Sequence, residues 1–172
     1  MSNEEWIEKV VGATVARTCR YFEDEFDIKS TVAAESPGNI ERLDIYGLTA
    51  IVGIGGPISL LIAFSFEQGL IDAIYKQMTA DIEVPTGEEK EFLESVAAEV
   101  INIIIGNATA DFQEPGRTIS LTPPMVVDRV KHIHRIKDVV FIRRRMDTEF
   151  GGVDISLVGP GELFDRKLDY VK

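Results

Sequence analysis

The chain has 172 residues, 45% of them hydrophobic and 27% charged, the balance of one globular domain with its own core. Its 18 basic and 29 acidic residues leave a formal charge of -11, which gives no general attraction to nucleic-acid phosphates or anionic lipid. Cys19 is the only cysteine, and the opening residues show no basic stretch followed by an apolar one, so the expectation is a cytoplasmic protein without disulfide, secretory signal or membrane span.

In chain order, the first predicted element is a helix over residues 3–25. Ser2 stands three residues before Glu5, the capping-box spacing in which hydroxyl and carboxylate satisfy free backbone N–H groups at a helix start. Strands are predicted over 28–34, 43–53 and 58–66. The stretch 48–66 is the most apolar, but Gly53, Gly55, Gly56 and Pro57 interrupt it, so it reads as a hairpin of buried strands. Ser65 before Gln68 and Thr86 before Glu89 repeat the capping-box spacing and open predicted helices over 66–79 and 87–113. Further strands are predicted over 118–121, 125–127, 139–146 and 153–158, with Gly151-Gly152 as a hairpin turn.

The two halves of this list match each other. Each has a long helix, a short strand followed by proline, a polar loop and a Gly-Gly hairpin. Glu8-Lys9-Val10-Val11 aligns with Glu94-Ser95-Val96-Ala97, and Glu25-Phe26 aligns with Asp111-Phe112 at the same offset. The expected fold is therefore α+β: a pseudo-symmetric antiparallel sheet packed with two long helices and a shorter one. It is read as one domain over 1–172, with its core at about 4–158 and a C-terminal extension over 159–172.

The second long helix carries the candidate chemistry. At about 100° per residue, Phe92, Leu93, Val96, Ala97, Val100, Ile101, Ile103, Ile104 and Ala108 fall on one half of the wheel. Ser95, Glu99, Asn102 and Gly106 follow one another on the other side at steps of four, three and four, stacked on consecutive turns. A glycine inside a helix costs about 1 kcal/mol relative to alanine. Ala98 and Gly106, one turn either side of Asn102, remove the side chains that would screen it. Between Lys90 and Arg117 there is no Lys or Arg, so Glu99 has no cation one turn away on its own helix. A face built only for water would favour Lys, Glu and Gln over Ala, Gly and Asn. The stripe reads as a low surface open to another protein.

Ser95-x-x-x-Glu99-x-x-Asn102 followed by Gly106-Asn107-Ala108 resembles the signature of the CheC/CheX chemotaxis phosphatases. The hairpin and helix over 48–73, the strand and paired prolines over 118–124 and the Gly151-Gly152 hairpin fit the same pattern, so the resemblance spans most of 4–158. It implies a phosphatase acting on the aspartyl phosphate of a CheY-type receiver domain. By position, Asn102 would orient the attacking water and Glu99 would pair with the receiver's lysine. Ser95, Ala98 and Gly106 would line the docking surface. The protein would need no cofactor or metal of its own, since the receiver would bring Mg2+. At the matching positions the first helix has Lys9, Ala13 and Ala16, which cannot form a second site. The resemblance is thus to the single-motif, CheX-like members, and it implies a homodimer. A noncatalytic receiver-binding module is the alternative reading, and a structural relative in the flagellar switch, with no use for Asn102, is a third.

Other features weigh less. His132 and His134, with Asp128 and Asp138 nearby, make an incomplete ligand set and read as a polar loop. Arg143-Arg144-Arg145 and its basic neighbours read first as a solvated strand, second as a patch for an acidic partner. Asn107 falls in the apolar arc and is expected to be a satisfied structural amide, and Cys19 a packed thiol.

Overall fold

The structure, a computed structural model, describes residues 3–34, 42–56, 59–128, 131–134 and 140–159, with side chains over 5–34, 45–56, 59–128 and 141–159. Its elements are α1 (Asn3–Phe26), β1 (Ser30–Val32), β2 (Arg42–Ile45), β3 (Leu48–Gly55), β4 (Leu60–Phe66), α2 (Gln68–Met78) and α3 (Glu89–Phe112), then β5 (Ser120–Leu121), β6 (Met125–Val127), β7 (Lys131–His134), β8 (Val140–Thr148) and β9 (Gly151–Gly159). The extension beyond residue 159 lies outside the described residues, as does Ser2 of the first capping box.

Seven strands form one antiparallel sheet in the order β1-β8-β9-β4-β3-β5, with β6 also on β3, while β2 pairs with β7. This order makes the internal duplication visible. Exchanging the halves swaps β1 with β5, β8 with β3 and β9 with β4, and the order reads the same. Each half lends its short strand to the edge of the other half's hairpin. The two hairpins meet at the centre, where β4 and β9 pair from Leu61↔Val158 to Phe66↔Val153. β2 and β7, one from each half, pair from Arg42↔His134 to Ile45↔Lys131. The fold is the expected α+β arrangement, with three helices and one large antiparallel sheet.

The strands are long apolar runs because one face packs on helices and the other is also largely covered. Ala50, Val52 and Ile54 of β3 enter the helix-side core with Ile62, Phe64, Phe66, Val153, Ile155 and Leu157. On the opposite face, Thr49 and Ser65 are buried polar residues in register across β3 and β4, and their hydroxyls bond to each other at 2.8 Å. α1 buries Trp6, Ile7, Val10, Val11, Phe22 and Phe26 along one side. Thr14 and Thr18 share that side, and each donates its hydroxyl to the carbonyl one turn back, at 2.8 and 2.7 Å. α1 ends on Asp27 in the left-handed region, φ 52, with Ile28 N–H bonded back to the Phe22 carbonyl.

Two of the three sequence-based helix starts need correction. Ser65 does not cap α2, because it is committed to β4 and to Thr49. The cap position is Glu67, whose carboxylate reaches away from its own helix to the Gly152 N–H, at 2.8 Å, and to Arg145. At α3 the Glu89 carboxylate accepts from the Gly87 N–H at 2.8 Å, and no hydroxyl cap forms. The acidic residues Glu89 and Glu91 still lie in the first turn, where the helix dipole favours them. The last hairpin turns through Glu149-Phe150, two residues earlier than predicted, and Gly151 and Gly152 already belong to β9. The stretch with His132 and His134, read as a loop, is strand β7, whose side chains lie outside those described.

Candidate functional site

α3 is the central helix of the core. Val96, Ala97, Val100, Ile101, Ile104, Ile105, Ala108 and Phe112 are buried, whereas Phe92, Leu93 and Ile103 are half-buried at the border. The buried arc is thus rotated from the expected one toward Ile105 and Phe112. By length and composition alone α3 could cross a membrane, but its apolar side is the protein's own core.

The opposite side holds the predicted stripe. Ser95, Glu99, Asn102 and Gly106 are all exposed, and Ala98 is half-buried beside them. The structure therefore brings the five predicted positions onto one open face. Ser95 Oγ donates to the Glu91 carbonyl at 2.8 Å, so its proton is used within the helix while its oxygen can still accept. Among the described residues, neither the Glu99 carboxylate nor the Asn102 amide has a hydrogen-bond or ion-pair partner. Both are presented outward.

Gly106 has open space where a Cβ would stand, with nothing within 4 Å. No internal contact requires a glycine there, so its helix cost is incurred for the surface. A Gly106→Leu variant is expected to fold as stably as the parent or better, and to lose receiver-stimulated turnover about tenfold or more through blocked approach. A melting curve with a phosphate-release assay checks this; full activity in that variant would show that the open face is not the approach surface.

α1 packs against α3. Trp6 at its start meets Phe112 at the end of α3, centroids 6.0 Å apart and nearly perpendicular. Arg17 forms two bonds to Asp111, at 2.5 and 2.6 Å, which holds the Asp111 carboxyl below its usual range. Tyr21, about one and a half turns from the end of α1, is half-buried, and its phenol is pushed up by burial and then by the charges of Glu25 and Glu99. Sequence reading missed Tyr21 and Arg17, since nothing in a single helix's pattern says which neighbour faces it. On α1 itself, Lys9 and Ala16 are exposed and Ala13 half-buried, so the first helix presents neither carboxylate nor amide at the matching turns.

Two further expectations change. Asn107 is exposed and not a buried structural amide: it stands at the border of an arc that still buries Ala108 and Phe112. The Arg143-Arg144-Arg145 patch is largely consumed internally. Arg144 bonds Glu8 at 3.2 Å, and Arg145 bonds Glu67, Asp147 and Tyr46 at 2.6, 2.8 and 2.6 Å. Among the described residues, no group of three or more His, Cys, Asp or Glu side chains is placed to hold a metal ion.

A family model described as Chemotaxis phosphatase CheX matches residues 48–142, more than half of the chain and all of the α3 stripe. The chain belongs to the CheX family. The chemotaxis protein CheX of Desulfovibrio desulfuricans superposes with TM-score 0.72 at 20% identity, over 86% of this chain and 97% of that one. CheX of Vibrio vulnificus gives 0.70 at 18% identity, over 86% and 97%. The CheX of a CheX–CheY–BeF3–Mg2+ complex from Borrelia burgdorferi gives 0.63 at 17% identity, over 91% and 97%. At such identities these CheX structures establish a shared fold. No curated protein matches the sequence.

Proposed function

We propose that this CheX-family protein hydrolyses the aspartyl phosphate of a CheY-type receiver domain. The observation that carries the reading is the Glu99/Asn102 pair, exposed, unpartnered within the described residues and raised on an open helix face. An acyl phosphate already has a good leaving group, and a receiver would bring its own Mg2+ and lysine. What remains is to hold a water in line with the breaking bond. An amide is neither acid nor base near pH 7 but both donates and accepts hydrogen bonds, which suits Asn102 to water-holding. Glu99 suits the receiver's lysine, at the rim of the same contact. The CheX–CheY complex of the Borrelia relative supports a CheY-type partner. The reading includes action in the cytoplasm, and a homodimer that sedimentation would detect.

The test is phosphate release from phosphorylated receivers, with and without the protein. Acceleration is expected, and Glu99→Ala should weaken receiver binding and turnover together, each about tenfold. Binding without acceleration by the intact protein would transfer the conclusion to a noncatalytic docking module.

A further inference from the structure

We propose that Arg17 is a docking residue for the receiver: Asp111 holds one edge of its guanidinium, and the other edge binds a carboxylate at the rim of the receiver's phosphorylation site. The inference rests on the receiver-phosphatase reading above and adds α1 to the binding surface.

The geometry of the ion pair fixes what it offers. Asp111 accepts from Nε and Nη2 of Arg17 at 2.5 and 2.6 Å, the side-on arrangement in which two parallel bonds lock the guanidinium plane. A guanidinium has five N–H donors in a fixed fork, so its end-on edge, Nη1 with the second hydrogen of Nη2, is left over. Among the described residues Asp111 is the sole partner of Arg17, whose side chain is 31% exposed. An exposed pair of this kind adds little to stability, but it leaves a cation already oriented. Arg20, one turn further along α1, is a looser cation, with a single bond to Asp24 at 3.3 Å.

Position and charge both suit the role. Asp111 stands exposed in the last turn of α3, next to Ala110, which continues the Gly106 row by one more turn and is also exposed. It lies nine residues beyond Asn102, about 13 Å along the helix. A stable interface covers about 800 Å² on each partner, a patch of roughly 16 Å radius, so a receiver seated on Asn102 extends over the last turn of α3. Within α3 no Lys or Arg follows Lys90, and the whole chain carries a formal charge of -11. The receiver's site is acidic too, because Mg2+ is held there by carboxylates together with phosphate oxygens. Two negative surfaces repel on approach, and a cation at the rim offsets this. Arg17 supplies that charge, and a guanidinium already held by Asp111 loses little freedom on docking. It lies a footprint's radius from Asn102, so it should govern binding and leave the chemical step alone.

Arg17→Met keeps most of the side chain's length and removes the guanidinium, whereas Asp111→Asn keeps the guanidinium and removes the carboxylate that holds it. Both positions reach solvent, so both variants are expected to fold. Arg17→Lys, which keeps the charge, is the control for the packing of α1. Binding is measured with a CheY-type receiver carrying BeF3 and Mg2+, and turnover by phosphate release from the phosphorylated receiver. Arg17→Met should raise Kd about three- to tenfold, chiefly through slower association, with a shallower dependence on salt and kcat within about twofold of the parent. Arg17→Lys should keep the parent's salt dependence. Asp111→Asn should bind within about twofold of the parent, or more tightly, since it removes a negative charge from the rim. An unchanged Kd in Arg17→Met, or a loss in Asp111→Asn as large as that in Arg17→Met, reduces the pair to a staple between helices; it overturns the docking role and leaves the phosphatase reading standing. Binding by the intact protein without acceleration overturns the phosphatase reading and leaves the docking role to the same variants. Absence of binding overturns both.

Discussion

Replacement of Asn102 by alanine is expected to remove most of the acceleration of receiver dephosphorylation, about 10²-fold, while receiver binding stays within about twofold. The asymmetry follows from where the residue stands. Asn102 is exposed on α3 with no partner among the described residues, so its loss leaves no buried group unsatisfied and no cavity. The fold should be indifferent to the change. Turnover should not be, because a single amide supplies both a donor and an acceptor to one water, and alanine supplies neither. Asn102→Asp is a stricter probe of the same claim. It keeps the size but loses the donor and adds a negative charge facing a phosphoryl group, so it should be at least as slow as alanine. Turnover unchanged in Asn102→Ala would remove the mechanism, whatever the binding data show.

Much of this was legible in the sequence because it lies in periodicity. The spacing of Ser95, Glu99, Asn102 and Gly106 is a property of one helix, and helix geometry alone puts them on one face. The duplication was also readable, since matching halves predict a symmetric sheet. The exchange of edge strands was not, because β1 on β8 and β6 on β3 are contacts between halves that no local pattern encodes. The failures share that cause. Ser65 has the local spacing of a cap, but its partner Thr49 lies on another strand. Arg145 has the local context of a basic run, yet one of its carboxylates comes from Glu67, 78 residues away, and another from Asp154, its opposite number across the last hairpin. Asn107 lies at the edge of the wheel's apolar arc, and the core takes its neighbours Ala108 and Phe112 and leaves it outside. Local patterns set elements and faces, and long-range partners decide which polar group is spent inside the fold and which is left for another protein.

The same distinction makes Arg145→Ala the substitution with the largest expected effect on stability. The guanidinium joins three separate pieces of chain: Glu67 at the start of α2, Tyr46 before β3, and Asp147 and Asp154 on the last hairpin. Gly152 is part of this design, because a Cβ there would run into the guanidinium. The critical partner is Asp154, whose side chain is only 7% exposed and lies 3.6 Å from Arg145 and 3.9 Å from Arg143. Removing Arg145 leaves that carboxylate buried with a single distant cation among the described residues. Breaking such a pair costs about 3 kcal/mol, and the partly exposed Glu67 adds little because water screens it. Glu67 contributes a pH signature instead. The Arg145 hydrogen bond, then the Gly152 N–H, holds its carboxyl below the ordinary value of 4.5. Stability from that shift is present above the ordinary value and is lost as pH falls through the lowered one, so the gap between parent and variant should narrow in acid. Denaturant melts of the parent, Arg145→Ala and Arg145→Ala/Asp154→Asn would decide the matter. The double variant should recover a large part of the loss, because it removes the stranded charge along with its partner. No recovery would mean that Arg145 stabilises the hairpin through its packing and its other bonds, with Asp154 only a bystander.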